Sequence, residues 1–508
     1  MLWGNWDTEV FVPGGRGFTL RDVSHPRSPY RCPVNSIDPD KLATCLEVLA
    51  DVRSLPPEHP DVVAIRRATA GVYKAVKQAR RHAKRDAVAA ADRAVIAATA
   101  TGAPGRIDDE TQGLPLVSTA AGASAGTLLR SRACYICKNH YVVVDAFYHQ
   151  LCPDCAALNR AKRDARTDLT GRTALLTGGR AKIGMYIALR LLRDGAHTTI
   201  TTRFPNDAVR RFAAMDDSAD WLHRLRVVGI DLRDPAQVVA LADEVAAQGP
   251  LDILINNAAQ TVRRPPGSYA ALVEAERTPP RELIDRVDVV TFDHVSDAHP
   301  HALAGSLAEH QTPHAVTELA LLARSASPER IALGTAIDAG GLLPDTSATN
   351  SWTQRVHEVD AMELLEVQLC NQTAPFILVS RLRPAMASSP ARRKYVVNVS
   401  AMEGQFSRQY KGPGHPHTNM AKAALNMLTR TSAGEMLEQD GILMTAVDTG
   451  WITDERPHPT KLRLADEGFH APLDLVDGAA RVYDPIVRGE AGEDLYGCFL
   501  KDYSPSNW

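Results

Sequence analysis

The sequence predicts an α/β protein built on a doubly wound parallel sheet, preceded by a helical region and a small four-cysteine module. Three observations carry that prediction. From Thr173 onward, apolar β-rich runs alternate with helical ones, the pattern of a parallel sheet covered by helices on both faces. The first of these runs leads through a glycine-bearing turn into a helix. Just upstream, two Cys-x2-Cys pairs stand 14 residues apart.

The bulk properties narrow the classes. A chain of 508 residues is too long for one core, so two or three domains are expected. With 44% apolar residues, 23% charged residues and a net charge of -3, nothing in the whole molecule demands a polyanionic partner or a membrane surface. No apolar run approaches the roughly 20 residues needed to cross a bilayer. The start, MLWGNWDTEVFVPGG, lacks the basic and apolar regions of a signal peptide, so a cytoplasmic protein is expected. Eight cysteines are few for this length, and in a reducing compartment two CxxC pairs suggest metal before disulfide.

Residues 1–130 are read as a helical region and linker. The first 37 show no steady period. A helix is expected over Asp38–Val52, with Asp38 or Asp40 as its cap, and SLPPEHP ends it. A long helix follows over about 61–100, and 101–130, rich in Gly, Ala, Ser and Thr, reads as a linker. Lys74, Lys77, Arg80, Arg81, Lys84, Arg85 and Arg93 make the long helix basic. Without interleaved aromatics, and in a slightly acidic chain, this reads as a solvated helix face, and a nucleic-acid partner is not expected.

Residues 131–168 form the second unit. Cys134, Cys137, Cys152 and Cys155 offer four thiolates on two knuckles, the closed tetrahedral set that structural zinc prefers. Such a site holds a small fold together and leaves no position open for catalysis. His140 and His149, between the pairs, are alternative ligands or plain loop residues. The module is also a candidate surface for a protein partner.

Residues 169–508 form the third unit. The strand TALLT runs into Thr177, Gly178, Gly179, Arg180, Ala181, Lys182, Ile183 and Gly184, then the helical run MYIALRLLRDGA. Strand, turn and helix together aim backbone N–H groups and the positive helix end at a pyrophosphate, which makes the fold Rossmann-type. The next strand ends at Thr202-Arg203. A basic residue there favours a ribose 2′-phosphate over the 2′-hydroxyl that a carboxylate would accept, and Arg180 and Lys182 add positive charge. NADP(H) is therefore expected ahead of NAD(H). Asp231-Leu232 follows the strand VVGI, placed to meet the adenine, and DILINNAA ends a buried strand in Asn256, Asn257, Ala258 and Ala259.

From these residues the chain resembles the short-chain dehydrogenase/reductase family. The resemblance rests on the turn at 177–184, NNAA at 256–259, Asn371 in NQTAPF, Ser400 in YVVNVSA, Lys422 in NMAKAALNML, and Thr449, Gly450 and Ile452 in VDTGWIT. It covers about 169–460 apart from one insertion. It implies reduction of a carbonyl, or oxidation of an alcohol, on a small-molecule substrate. Ser400 would bind the substrate oxygen, Lys422 the nicotinamide ribose, and Asn371 a relay water. It also implies a homo-oligomer packed through helices near 361–385 and 418–438.

The departure from the family lies four residues before Lys422, where its catalytic tyrosine is replaced by Thr418. An aliphatic hydroxyl is a far weaker acid than a phenol of pKa near 10. Tyr410, His415 and His417 are the alternative proton donors. A non-catalytic nucleotide sensor or scaffold is the other reading. Lys182 stands where the family has the turn's middle glycine, and Ala259 where it has the last glycine of NNAG.

Between Ala259 and Asn371 lie 111 residues where the family has a short segment, with the insertion itself at about 262–350. It includes a strand-like run, Val287–Phe292, and the cluster Asp293, His294, Asp297, His299 and His301, more simply solvated than metal-binding. Emerging at the carboxyl edge of the sheet, the insertion is placed to shape a substrate site.

Overall fold

A computed structural model describes residues 37–508 except 105, 107–115, 265, 281, 283–285, 293–340, 344–346 and 409–410. Tyr410, the acidic and histidine cluster at 293–301, and the first 36 residues therefore lie outside the described residues. The chain divides into two compact units, Met1–Arg85 and Asp86–Trp508.

In the first unit, helix α1 (Pro39–Asp51) starts where Asp38 accepts from the N–H groups of Asp40 and Lys41, an N-cap satisfying donors the helix itself cannot. Helix α2 (Pro60–Ala97) begins there and ends in the second unit. Its basic side chains from Lys74 to Arg85 are exposed, as a solvated face requires.

The second unit opens with a hairpin of β1 (Ser124–Ala133) and β2 (His140–Asp145), followed by α3 (Pro153–Asp164). The linker expected over 101–130 is thus shorter, because Ser124–Arg130 already pair with β2 or extend toward it. Beyond the hairpin come β3 (Thr173–Leu176), α4 (Lys182–Arg193), β4 (His197–Thr202), α5 (Pro205–Ala213), β5 (Leu225–Gly229), α6 (Pro235–Ala247) and β6 (Ile253–Asn256). The insertion supplies α7 (Ala270–Glu276) and β7 (Asp288–Thr291). Next are α8 (Ala361–Gln368), a π-turn (Leu369–Thr373), α9 (Ala374–Ala387), β8 (Lys394–Ser400), α10 (Pro416–Asp440) and β9 (Ile442–Asp448). The chain closes with α11 (His458–Asp466), α12 (Leu475–Glu490), β10 (Phe499–Lys501) and β11 (Ser504–Ser506).

The described strands of the large sheet lie in the order β11-β10-β9-β8-β6-β3-β4-β5-β7. All its pairings are parallel except β10 with β11. Strands β6, β8 and β9 are buried along their whole length, which explains their continuous apolar runs, since a doubly covered strand has no solvent face. One apolar layer holds Leu176, Ile187, Ile200 and Ile255, the other Leu175, Val238, Leu254 and Leu378. The strand expected at Val287–Phe292 is β7, which joins the edge of the sheet beside β5. The chain reverses its winding between β3 and β6, and open α/β sheets bind ligands at the carboxyl ends of the strands beside such a switch.

Candidate functional site

The turn after β3 closes on itself through side chains that also hold the end of β6. Thr177 Oγ1 accepts from the N–H groups of Asn257 and Ala258, and Asn257 Nδ2 donates to the carbonyls of Thr177 and Gly178. Gly178 has a φ of 69°, and an ideal Cβ there would stand 2.9 Å from Ala258 Cα. At Gly184 it would stand 2.0 Å from the Gly178 carbonyl oxygen. Among the described residues no side chain caps α4, and its N-terminal, positive end lies at the turn. Lys182 occupies the left-handed region with φ 52°, the conformation for which glycine is the default. The backbone shape of a glycine turn is therefore kept at Lys182 although the glycine is not.

The positive charge is unevenly available. Arg180 pairs with Asp207, which also takes Arg211 at 2.6 Å. Arg203 is exposed and lies over the ring of Tyr269 at 4.9 Å and of Phe204 at 5.7 Å. Asp231 is held by the guanidinium of Arg233, with one contact of 2.6 Å, and Arg233 continues to the buried Glu366 at 2.9 Å. Leu232 is buried beside it.

At the other side of the cleft, α10 grips the end of β8. Lys422 Nζ donates to the Val399 carbonyl at 2.7 Å. Ser400 Oγ donates to Asn426 Oδ1 at 2.5 Å, and Asn426 Nδ2 donates to the Gly404 carbonyl at 3.1 Å. Burial pushes the Lys422 ammonium down to about 8, against the opposing influence of Cys370 and Glu403. Thr418, one helical turn before Lys422, is buried and its Oγ1 has no partner among the described residues. Neither ring nitrogen of the adjacent buried His417 has one. Burial and then His415 lower the His417 pKa, so the ring is neutral at pH 7. His415 caps α10 with φ 44°, and its ring stacks on Trp352 at 4.0 Å.

Asn371 lies in the π-turn between α8 and α9, a break that often marks functional positions in helices. Its Oδ1 accepts from Gln260 N at 2.7 Å and its Nδ2 donates to the Gln260 carbonyl at 2.9 Å. The asparagine thus clasps the backbone that follows NNAA. Glu363 on α8 accepts from Arg263 N at 2.7 Å and from the Ser351 hydroxyl, so one carboxylate ties both ends of the insertion to the sheet's carboxyl edge. Thr449 and Ile452 are buried in the segment after β9, and Gly450 takes a φ of 77°.

The four cysteines meet as the spacing predicts. Their sulfurs all lie within 4.8 Å of one another, and Cys137 and Cys152 approach to 3.6 Å. A tetrahedron with zinc–sulfur bonds of about 2.3 Å has edges of about 3.8 Å, so the set fits zinc. Cys152 caps α3 and Cys155 lies in its first turn; burial raises the pKa of both thiols, so a bound metal would displace their protons. The histidines are not needed: His149 is buried against Thr101 Oγ1, and His140 lies beside Ser131.

Two residues of the site escaped the sequence reading. Asn426 was detectable as the residue one turn after Lys422 on the same helix face. Tyr135, whose hydroxyl accepts from Trp451 N at 2.9 Å, carried no signal beyond lying between two ligands.

Residues 172–278 match the short chain dehydrogenase family. An uncharacterized protein of Acanthamoeba polyphaga mimivirus is 31% identical over 372 residues, 70% of this chain and 71% of that protein. A probable oxidoreductase of Streptomyces antibioticus is 42% identical over 94 residues, 18% of this chain and 30% of that one. The solved structure of NADPH-bound carbonyl reductase from chicken fatty liver matches with 16% identity and a TM-score of 0.40, covering 67% of this chain and 100% of that one. The chain belongs to the short-chain dehydrogenase/reductase family, as a divergent member with added regions.

Proposed function

We propose that the protein is an NADP(H)-dependent oxidoreductase acting on a carbonyl or alcohol group, with Thr418 in place of the family's phenol. The observation that carries the reading is the unpartnered buried Thr418 hydroxyl one turn before an ammonium whose pKa is about 8. The bound nicotinamide supplies or takes up the hydride. The glycine turn and the N-terminus of α4 hold the pyrophosphate, and Arg203 holds the 2′-phosphate. Lys422 stores a proton at Nζ with an acidity matched to neutral pH, as general acids require. Lys422 Nζ leaves the Val399 carbonyl to reach Thr418 Oγ1, which then passes the proton to the substrate oxygen, accepting from one side as it donates on the other, so the hydroxyl itself never has to ionise. Ser400 holds the substrate oxygen through its own hydroxyl. His417, kept neutral, is the poorer proton store.

The four-cysteine module holds structural zinc in this reading. Exposed Phe376, Met420 and Met427 on α9 and α10 form the face through which two copies associate. The double variant Met420→Glu, Met427→Glu is expected to shift the particle toward monomer in sedimentation. A cytoplasmic location accords with four cysteines gathered for a metal rather than paired in disulfides. The second reading, a non-catalytic NADP(H) sensor or scaffold acting through the metal module, is favoured by the missing phenol alone.

Fluorescence titration with NADPH and NADH, followed by a carbonyl screen, separates these readings. NADPH binding, together with turnover that survives in Thr418→Ser and falls about a hundredfold in Thr418→Val, is the expected result. Binding without any turnover selects the sensor. If neither nucleotide binds, both readings fall.

A further inference from the structure

The cysteine module is more than an appendage to the nucleotide cleft. We propose that Tyr135, carried on the metal knuckle, is a positioning residue for nucleotide binding that fixes the segment Thr449–Ile452. The proposal rests on the nucleotide reading above.

Tyr135 lies between Cys134 and Cys137, so with zinc bound two metal–sulfur bonds would fix its backbone. Its half-buried phenol reaches out of the knuckle, and its oxygen accepts from the backbone N–H of Trp451 at 2.9 Å. That N–H belongs to the segment that follows β9 at the carboxyl edge of the sheet. The segment has little freedom elsewhere: Gly450 N donates to Asp448 at 3.0 Å, and a Cβ on Gly450 would stand 2.6 Å from Leu473 Cδ1. Ile452 and Leu473 share an apolar cluster with Cys134, Cys152, Cys155 and Tyr148. Ile183, from the glycine turn, packs against the same cluster. The apolar cluster that takes in the module's cysteines therefore also takes in side chains from both stretches that the nucleotide reading requires. The module is held in place by separate bonds: Tyr148 donates to Asp477 at 2.6 Å, and Arg163 pairs with Asp474 at 2.5 Å.

Removing the Tyr135 hydroxyl leaves the half-buried Trp451 N–H without this acceptor and loosens the segment at Trp451, while the ring keeps its packing. Removing the Tyr148 hydroxyl cuts a bond of the same module without touching 449–452. Tyr135→Phe and Tyr148→Phe are compared in the full-length, zinc-loaded protein by fluorescence titration with NADPH, with zinc measured per chain. Tyr135→Phe is expected to raise the NADPH Kd about tenfold with one zinc retained, and Tyr148→Phe to stay within about twofold. In cobalt-substituted wild type, NADPH is expected to shift the thiolate-to-cobalt absorption band, a response that loose packing of a remote module would not give.

Equal NADPH binding by Tyr135→Phe and wild type would overturn the proposal while leaving the nucleotide reading intact. So would equal weakening by both variants. If Tyr135→Phe does not fold, the cobalt band decides: a shift on NADPH addition supports the coupling, and an unchanged band refutes it. Failure of wild type to bind NADPH removes the nucleotide reading and the proposal with it.

Discussion

The two sides of the cleft have departed from the family in different currencies. On the glycine-turn side, the changed residue is Lys182, and the backbone keeps the shape that glycine would give, with φ at 52°. On the α10 side, the changed residue is Thr418, and what disappears is a titratable group. A pyrophosphate is bound by N–H groups that every residue but proline carries, so a substitution is tolerated there if the backbone can bear the strain. Proton transfer depends on the pKa of one side chain, so a substitution there must be answered by another group. In the function proposed above that group is Lys422, whose burial brings its acidity toward neutral pH.

The sharpest break of this comparison is therefore Lys422→Met. It should reduce turnover by two to four orders of magnitude, about the range expected for loss of general acid catalysis. The pH profile tests the same point in wild type. Below about 8 the Lys422 amine carries its proton and can act as the acid; above that it is neutral and cannot. Carbonyl reduction followed by NADPH oxidation should fall as pH rises through about 8, and Thr418→Ser should keep that limb. A profile flat to pH 9.5 would place the proton store elsewhere.

Arg203→Glu acts on the glycine-turn side with a smaller effect. The exposed guanidinium beside Phe204 and Tyr269 is the charge best placed for a 2′-phosphate, because Arg180 already shares Asp207 with Arg211. Reversing it should weaken NADPH by about thirtyfold and leave NADH within about threefold, since only the phosphate meets the change. Equal losses for both nucleotides would mean that Arg203 supports the fold of the site rather than recognising the phosphate.

These two sides were also unequally legible in the sequence. The expected strands appear as β3, β5, β6, β8 and β9, where buried parallel strands leave largely apolar runs, and as β4, whose HTTITT is legible by its β-branched residues instead. The four cysteines meet because two short knuckles fix most of the geometry. Asn371, Ser400 and Lys422 are identifiable by their order along the chain, but the partners that hold them are not. Gln260 clasps Asn371 through backbone atoms, which leave no trace in residue identity. Hairpin β1–β2 was hidden because its first residues, SAGTLLR, are small and polar enough to resemble linker. Tyr135 and Trp451 meet across 316 residues, a contact no local pattern encodes. Arg180 looked like available charge, yet its pairing with Asp207 depends on where α5 packs.

Lys182→Gly has the smallest expected effect and tests the backbone half of the comparison. A side chain in the left-handed region costs about 1–2 kcal/mol, while glycine's extra freedom in the unfolded chain returns roughly 0.5–1 kcal/mol of that. The net gain is then about 0–1.5 kcal/mol, a rise of at most roughly 6 °C in melting temperature. If backbone N–H groups hold the pyrophosphate, NADPH affinity should stay within about threefold, because the turn at Gly178 and Gly184 is unchanged. Calorimetric titration distinguishes this from the alternative. A tenfold loss would show that the Lys182 ammonium itself binds phosphate, and the glycine-turn side would then have been rebuilt with side-chain chemistry, just as the α10 side has.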